Sequence, residues 1–299
     1  MKEKNMAALT IDADEEKRLK GLGFLNNRGT DSFSARVITV NGKITAAQQR
    51  CLAEAAEQFG NGNLTFTTRL TVEVQGIPYE KIGAFQEYIA KEGLETGGTG
   101  PKVRPIVSCK GSTCQYGLLD SFAISEEIHE RFYKGYHDVK LPHKFKIAVG
   151  GCPNNCVKPN LNDVGIIGQS IPNFDKEACK GCKKCAVEAV CPMGAAKVVD
   201  KKLQIDPELC IHCGRCRGKC HFDAMKESTY GFKIYIGGRW GKKISHGRAL
   251  SKVFTSKDEA LDVIERAILF FRDQGQPGER FAETIERIGF EKVEKALLG

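Results

Sequence analysis

Cys179-Lys-Gly-Cys182-Lys-Lys-Cys185-Ala-Val-Glu-Ala-Val-Cys191-Pro192 is followed about thirty residues later by Cys210-Ile-His-Cys213-Gly-Arg-Cys216-Arg-Gly-Lys-Cys220. One pattern is written twice. Three cysteines at two-residue gaps, closed each time by a fourth, suit the corners of iron-sulfur cubes, whereas structural zinc takes four ligands as two pairs. The interval from about Asn173 to Ser228 has almost no long apolar run, so cluster coordination is expected to replace a conventional core there.

Outward from that segment, the rest of the chain reads as an α+β protein. Arg36 to Val40 is a β-branched strand ending at Asn41-Gly42, and a helix follows with Ile44, Ala47, Cys51, Leu52, Ala55 and Phe59 on one face. Leu64 to Val74 alternates as a strand, and Pro78 opens a second helix toward Lys91. Gly97 to Pro101 breaks the chain, and Val103 to Ser108 leads as a short strand to Cys109. Gln115 to Tyr133 is helical in pattern, Phe145 to Val149 and Asn162 to Gly168 read as strands, and Tyr230 to Gly238 as another. Ser256 with Glu259 makes a capping box for a helix whose face is Leu261, Ile264, Ile268 and Phe271. The cysteine-rich segment is therefore an insertion: 1–97 forms an N-terminal unit, 98–172 starts a second domain, 173–228 is inserted, and 229–299 completes the second domain with C-terminal helices.

Composition closes off other classes. With 299 residues, 41% hydrophobic and 27% charged, the chain is globular rather than disordered or fibrous. The longest apolar stretch, Ala267 to Phe271, is far short of the roughly 18 residues a membrane span needs. The N-terminus passes from basic residues to Asp12, Asp14, Glu15 and Glu16 without an apolar segment, which gives no secretory signal and predicts a cytoplasmic protein. A net charge of +8 is too modest to indicate nucleic acid. Thirteen cysteines, an odd number, in a long chain without a leader point to metal rather than disulfides, and twelve of them fall in groups. The exception, Cys51, reads as a small buried hydrophobe.

The repeated motif resembles two-cluster ferredoxins, and that resemblance assigns Cys179, Cys182, Cys185 and Cys220 to one [4Fe-4S] cube and Cys210, Cys213, Cys216 and Cys191 to the other. Two departures stand out: five residues precede Cys191, and His221 occupies the place where proline is usual. His221 and His212 are expected to be neighbours of the clusters. Lys176, Lys180, Lys183, Lys184, Arg215, Arg217 and Lys219 could dock an acidic electron donor, although such runs are commonly solvated faces.

The remaining pairs, Cys109-x4-Cys114 in Ser108-Cys-Lys-Gly-Ser-Thr-Cys-Gln-Tyr-Gly117 and Cys152-x3-Cys156 in Gly150-Gly-Cys-Pro-Asn-Asn-Cys156, resemble the siroheme-dependent sulfite and nitrite reductase family. The first pair is one residue shorter than the family's usual spacing. Thr67-Thr68-Arg69 leading to Gln75-Gly76-Ile77 is similar to the family's substrate-pocket strand, Leu141-Pro-His-Lys-Phe-Lys146 to its paired-lysine segment, and Gly237-Gly-Arg239 to the segment over the cofactor.

The resemblance implies a ferredoxin-like N-terminal unit and a siroheme/[4Fe-4S] domain interrupted by a two-cluster ferredoxin insert. It also implies three [4Fe-4S] clusters and one siroheme, with Cys156 bridging cube and macrocycle. Siroheme is a polycarboxylate and the substrate a small oxyanion, so the site needs several fixed cations. Arg36, Arg104, Lys144 and Lys146 are expected to bind the oxyanion and deliver protons, and Arg69 and Arg239 to contact siroheme carboxylates. The implied activity is six-electron reduction of sulfite to sulfide. Nitrite reduction to ammonium and a non-catalytic electron-transfer subunit are the alternatives. A homo- or hetero-oligomer and an electron-donor protein are the expected partners.

Overall fold

The computed structural model describes residues 11–299, so the expectation drawn from the first ten residues lies outside them. In chain order the elements are α1 (Ala13–Gly21), β1 (Phe24–Asn26), β2 (Ser32–Val37), α2 (Ala46–Phe59), β3 (Leu64–Phe66), β4 (Val72–Pro78), α3 (Ile82–Ala90), β5 (Val107–Ser108) and α4 (Ser121–Ile128). They continue with β6 (Ile147–Gly150), β7 (Val164–Pro172), α5 (Ala186–Val190), β8 (Ala196–Val199), β9 (Lys202–Ile205), β10 (Ser228–Ile236), β11 (Arg248–Phe254), α6 (Lys257–Gln274), α7 (Phe281–Ile288) and α8 (Phe290–Leu298).

The chain forms two compact units, each built from separated stretches. One contains the chain up to Val107 with Ser125–Ile147 and Ile268–Thr284; the other contains Ser108–Ile124, Ala148–Ala267 and Ile285–Gly299.

In the first unit a four-stranded sheet, in the order β1-β2-β4-β3, packs on α2 and α3. Thr45 starts α2 with a reciprocal cap: its hydroxyl accepts from the Gln48 amide at 3.1 Å, and its own amide donates to the Gln48 side chain at 3.0 Å. The apolar face of α2, Cys51 included, is buried against Phe24, Phe33, Phe85 and Ile89. Phe85 meets Phe24 and Phe59 edge-on at 6.2 and 6.1 Å. The same unit holds a second aromatic nest, in which fully buried Phe145 lies 5.7 Å from Phe271 and 5.4 Å from Phe281. Each such ring contributes about 2 kcal/mol through burial.

Leu64 to Val74 is not one strand but a hairpin. Thr67 and Thr71 close it, with the Thr67 amide donating to the Thr71 carbonyl at 2.9 Å, the two hydroxyls 2.7 Å apart and Leu70 at φ 60°. Alternation continues through both arms, so periodicity alone does not reveal the reversal. Thr67-Thr68-Arg69 therefore sits in a turn rather than a strand.

The second unit is organised on a five-stranded sheet, β11-β10-β7-β6-β5, in which β7 and β10 pair antiparallel over their whole lengths. Helix α4 begins only at Ser121, because Gln115 to Asp120 folds back on the loop before it: the Gly117 amide donates to the Cys114 carbonyl and the Leu118 amide to the Gly151 carbonyl, both at 2.9 Å. A Cβ on Gly117 would lie 2.1 Å from the Gly111 carbonyl oxygen, so this fold-back requires glycine.

The cysteine-rich segment carries the β8-β9 hairpin and, contrary to expectation, a small core of its own. Val187, Ala196, Leu203, Ala224 and Met225 are buried with Cys179, and Cys185, Cys191, Cys216 and Cys220 pack around them. The capping box is half made: Ser256 accepts from the Glu259 amide at 3.4 Å, but the Glu259 carboxylate pairs with Lys252 instead of returning to the cap.

Candidate functional site

The first cysteine group sits where β5 and β6 end. The Cys109 amide extends the ladder by donating to the Val149 carbonyl at 3.1 Å, and a single turn over Gly111–Thr113 delivers Cys114. From the neighbouring strand end, the Gly151 amide donates to the Cys109 sulfur at 3.1 Å. A Cβ on Gly151 would stand 3.0 Å from Gly111 Cα and 3.4 Å from that sulfur, which leaves little room for any larger residue.

Burial pushes the Cys152 thiol up, and Cys109, Cys156 and Cys114 raise it further against the lowering effect of the Asn154 amide. The other three sulfurs thus all lie near enough to act on that of Cys152. Cys156 is exposed and the other three are half-buried. The loop between Cys152 and Cys156 is fixed by Asn155 in the left-handed region at φ 58°, with its side-chain amide donating to Asn160 at 2.8 Å.

In the cysteine-rich segment, the Cys179 sulfur accepts from the Leu203 amide at 3.4 Å. Burial alone would raise this thiol, but the Leu203 and Gly181 amides with Lys202 and Lys180 outweigh it and hold the thiol below its usual range. Cys191 behaves likewise under the amides of Ala196, Met193, Ala195 and Gly194. Cys216 goes the other way, pushed up to about 11 by burial, with Cys213, Cys210 and Cys191 adding repulsion. Cys191 therefore stands beside Cys210, Cys213 and Cys216, and the four line one cavity together.

Among the described residues no three His, Cys, Asp or Glu side chains stand close enough to share a single metal ion. A cube takes its thiolates at separate corners, so its fit is judged by the donors and the space between them. Four thiols around one cavity, and three thiols gathered near Cys152 with the Gly151 amide already on the Cys109 sulfur, meet that demand.

Strand β7 links these features. Ser170 makes a parallel bridge to Cys213, its amide donating to the His212 carbonyl at 2.8 Å, and Gln169 Oε1 lies 3.0 Å from His212 Nδ1. His212 is thus half-buried and bonded to β7, whereas His221 is exposed. A cavity of about 480 Å³ has Cys152 and Cys213 on its walls, together with Ser170, Arg215 and Arg217.

The first unit gathers five of the predicted cationic residues around residues 97–105. The Arg104 amide donates to the Phe145 carbonyl at 2.8 Å and the Phe145 amide to Lys102, which lays Lys144-Phe145-Lys146 alongside Arg104. Lys144 and Lys146 are half-buried on either side of buried Phe145, the alternation expected of two ammonium groups on one face of an extended chain. The Arg104 guanidinium donates to the Gly98 and Gly100 carbonyls at 2.6 and 3.1 Å. Burial, then Arg36 and Arg280, lower its pKa to about 10. The Arg69 guanidinium reaches the Pro105 carbonyl at 2.6 Å and that of Ile147 at 3.2 Å.

Arg36 is ion-paired to Glu73 at 2.5 Å, and the two are register partners across β2 and β4. Glu73 and Arg280 are the charged residues that sequence reasoning missed; only strand register and tertiary packing bring them to Arg36 and Arg104. In the second unit, half-buried Arg239 follows β10 and forms a two-way backbone bridge with Ser245 at 2.8 and 2.9 Å.

These features belong to a known class. The nitrite and sulphite reductase 4Fe-4S domain matches residues 99–298, and the nitrite/sulfite reductase ferredoxin-like half domain matches residues 26–92. The chain therefore belongs to the nitrite and sulfite reductase family.

Its relatives include the coenzyme F420-dependent sulfite reductase of Methanocaldococcus jannaschii, 30% identical over 81% of this chain and 38% of that protein. An uncharacterized protein of the same organism is 31% identical over 88% of this chain and 90% of its own length. The alpha subunit of the dissimilatory-type sulfite reductase of Allochromatium vinosum is 28% identical over 82% of this chain and 64% of the subunit. The chain thus spans well under half of the F420-dependent enzyme. In fold it is similar to the crystal structure of dissimilatory sulfite reductase I, with a TM-score of 0.70 at 22% identity over 89% of this chain and 68% of that one. No helix among the described residues is long and apolar enough to cross a membrane.

Proposed function

We propose that this protein reduces sulfite to sulfide at a siroheme coupled to the [4Fe-4S] cube of Cys109, Cys114, Cys152 and Cys156, fed by two ferredoxin-type cubes in the insert. The observation that carries this reading is the Gly151 amide on the Cys109 sulfur at the ends of β5 and β6, with Cys109, Cys114 and Cys156 all near enough to Cys152 to act on its thiol. Cys156, the exposed thiol of the four, would be the one that a bound siroheme can reach.

When bound, siroheme supplies an iron centre for the substrate and a conjugated ring that shares electrons with the cube. The chain's own residues do the rest. Lys144 and Lys146 hold the oxyanion by charge-assisted hydrogen bonds and pass on the protons with which its three oxygens leave as water. Arg104 and Arg36 keep the region positive. Arg36 does so at reduced strength, since Glu73 neutralises part of its charge. Arg69 and Arg239 contact siroheme carboxylates. Arg69 does so while bracing the Pro105 carbonyl.

Electrons enter from an acidic donor protein docking on the basic residues of the insert. Cys179, Cys182, Cys185 and Cys220 would hold the outer one-electron carrier, and Cys191, Cys210, Cys213 and Cys216 the inner one on the side of the coupled centre. The bridge from Ser170 to Cys213 supports this order, because it ties the second cube's loop to the central sheet. A second chain, a copy or a partner subunit, completes the assembly.

The test is turnover with a chemically reduced artificial donor. Sulfite is expected to give sulfide stoichiometrically. Ammonium from nitrite with no sulfide from sulfite would assign the same centre to nitrite, and no product from either, with iron intact, would leave an electron carrier.

A further inference from the structure

Ser170 is 1% exposed, and its hydroxyl has no hydrogen-bond partner among the described residues. A buried hydroxyl left unpaired loses its hydration without compensation, so such an atom normally has a partner. The surroundings say what that partner is. Ser170 lines the cavity bounded by Cys191, Cys210, Cys213 and Cys216, and its backbone is bridged to Cys213. The approach is close enough to exclude a side chain opposite: a Cβ on Gly214 would lie 2.8 Å from Ser170 Oγ, and Gly214 sits at φ +72°.

We infer that the Ser170 hydroxyl donates a hydrogen bond to a sulfur of the cube held by Cys191, Cys210, Cys213 and Cys216 and so raises the reduction potential of that cube. Reduction adds negative charge to the sulfurs, and a donor fixed on one of them stabilises the reduced form more than the oxidised form. Ser170 also lines the cavity that contains Cys152. The tuned cube is therefore the one facing the coupled centre, and a higher potential there draws electrons inward from the other insert cube. Ser170 is a positioning and tuning residue that reacts with nothing itself.

This inference rests on the proposed cube at those four thiols, and its test separates the two. The full-length, anaerobically loaded protein is titrated against potential while the paramagnetic signals of the reduced cubes are recorded; the signal altered by Cys213→Ser identifies the relevant one. Ser170→Ala is expected to move that signal alone to lower potential, with iron content equal to the parent protein, and Ser170→Thr to restore it. An unmoved midpoint with the cube retained would overturn the hydroxyl's role, as would outright loss of the cube in Ser170→Ala. If the parent protein's iron count leaves no cube on these four thiols, and Cys213→Ser alters no signal, the underlying reading fails instead.

Discussion

Replacing Cys156 with serine is expected to abolish sulfite turnover, by more than about a thousandfold, or about 4 kcal/mol of barrier. A serine oxygen is harder than a thiolate and a poor match for iron shared between a cube and a macrocycle. The loss falls on one centre only, because Cys179, Cys185, Cys191, Cys216 and Cys220 pack in a separate small core, with backbone amides on Cys179 and Cys191. The variant should retain both insert cubes, about eight irons per chain instead of about twelve, with their reduced-state signals unchanged. Because Cys156 is exposed in its loop, the fold should tolerate the change. Turnover surviving in the serine variant would remove Cys156 from the bridge.

Changing Lys144 and Lys146 together to alanine is the second large effect. Each charge-assisted hydrogen bond to the oxyanion is worth about 1.5–3 kcal/mol, so losing both lowers kcat/KM by roughly two to four orders of magnitude. The absorption of bound siroheme should persist, since the cations assigned to its carboxylates, Arg69 and Arg239, are untouched. Phe145 remains locked between Phe271 and Phe281, so the extended segment keeps its place. Rates equal to the parent protein would exclude both lysines from substrate handling, and loss of the siroheme bands would recast them as cofactor ligands.

The cysteine groups were legible because spacing along the chain needs no tertiary information, and Cys191 does line one cavity with Cys210, Cys213 and Cys216. Helix α2 was legible for a similar reason: Cys51, Leu52, Ala55 and Phe59 bury one helical face, as their periodicity requires. What stayed hidden depends on distant partners. The reversal at Thr67–Leu70 interrupts an alternation that both arms continue. The Arg36–Glu73 pair exists only once β2 and β4 are in register. Phe145 reads as one apolar residue between lysines until α6 and α7 bring Phe271 and Phe281 onto it. Ser170 looks like an ordinary strand residue, and its unpaired hydroxyl emerges only when the Cys213 loop is laid against β7.

The visible absorption spectrum of protein purified without oxygen, read with iron and acid-labile sulfide content, tests the central claim most directly. A strong Soret band and a red band of siroheme over a broad iron-sulfur background, an extractable tetrapyrrole, and about twelve cluster irons per chain are expected. A brown protein with only the iron-sulfur background and no macrocycle to extract would contradict it.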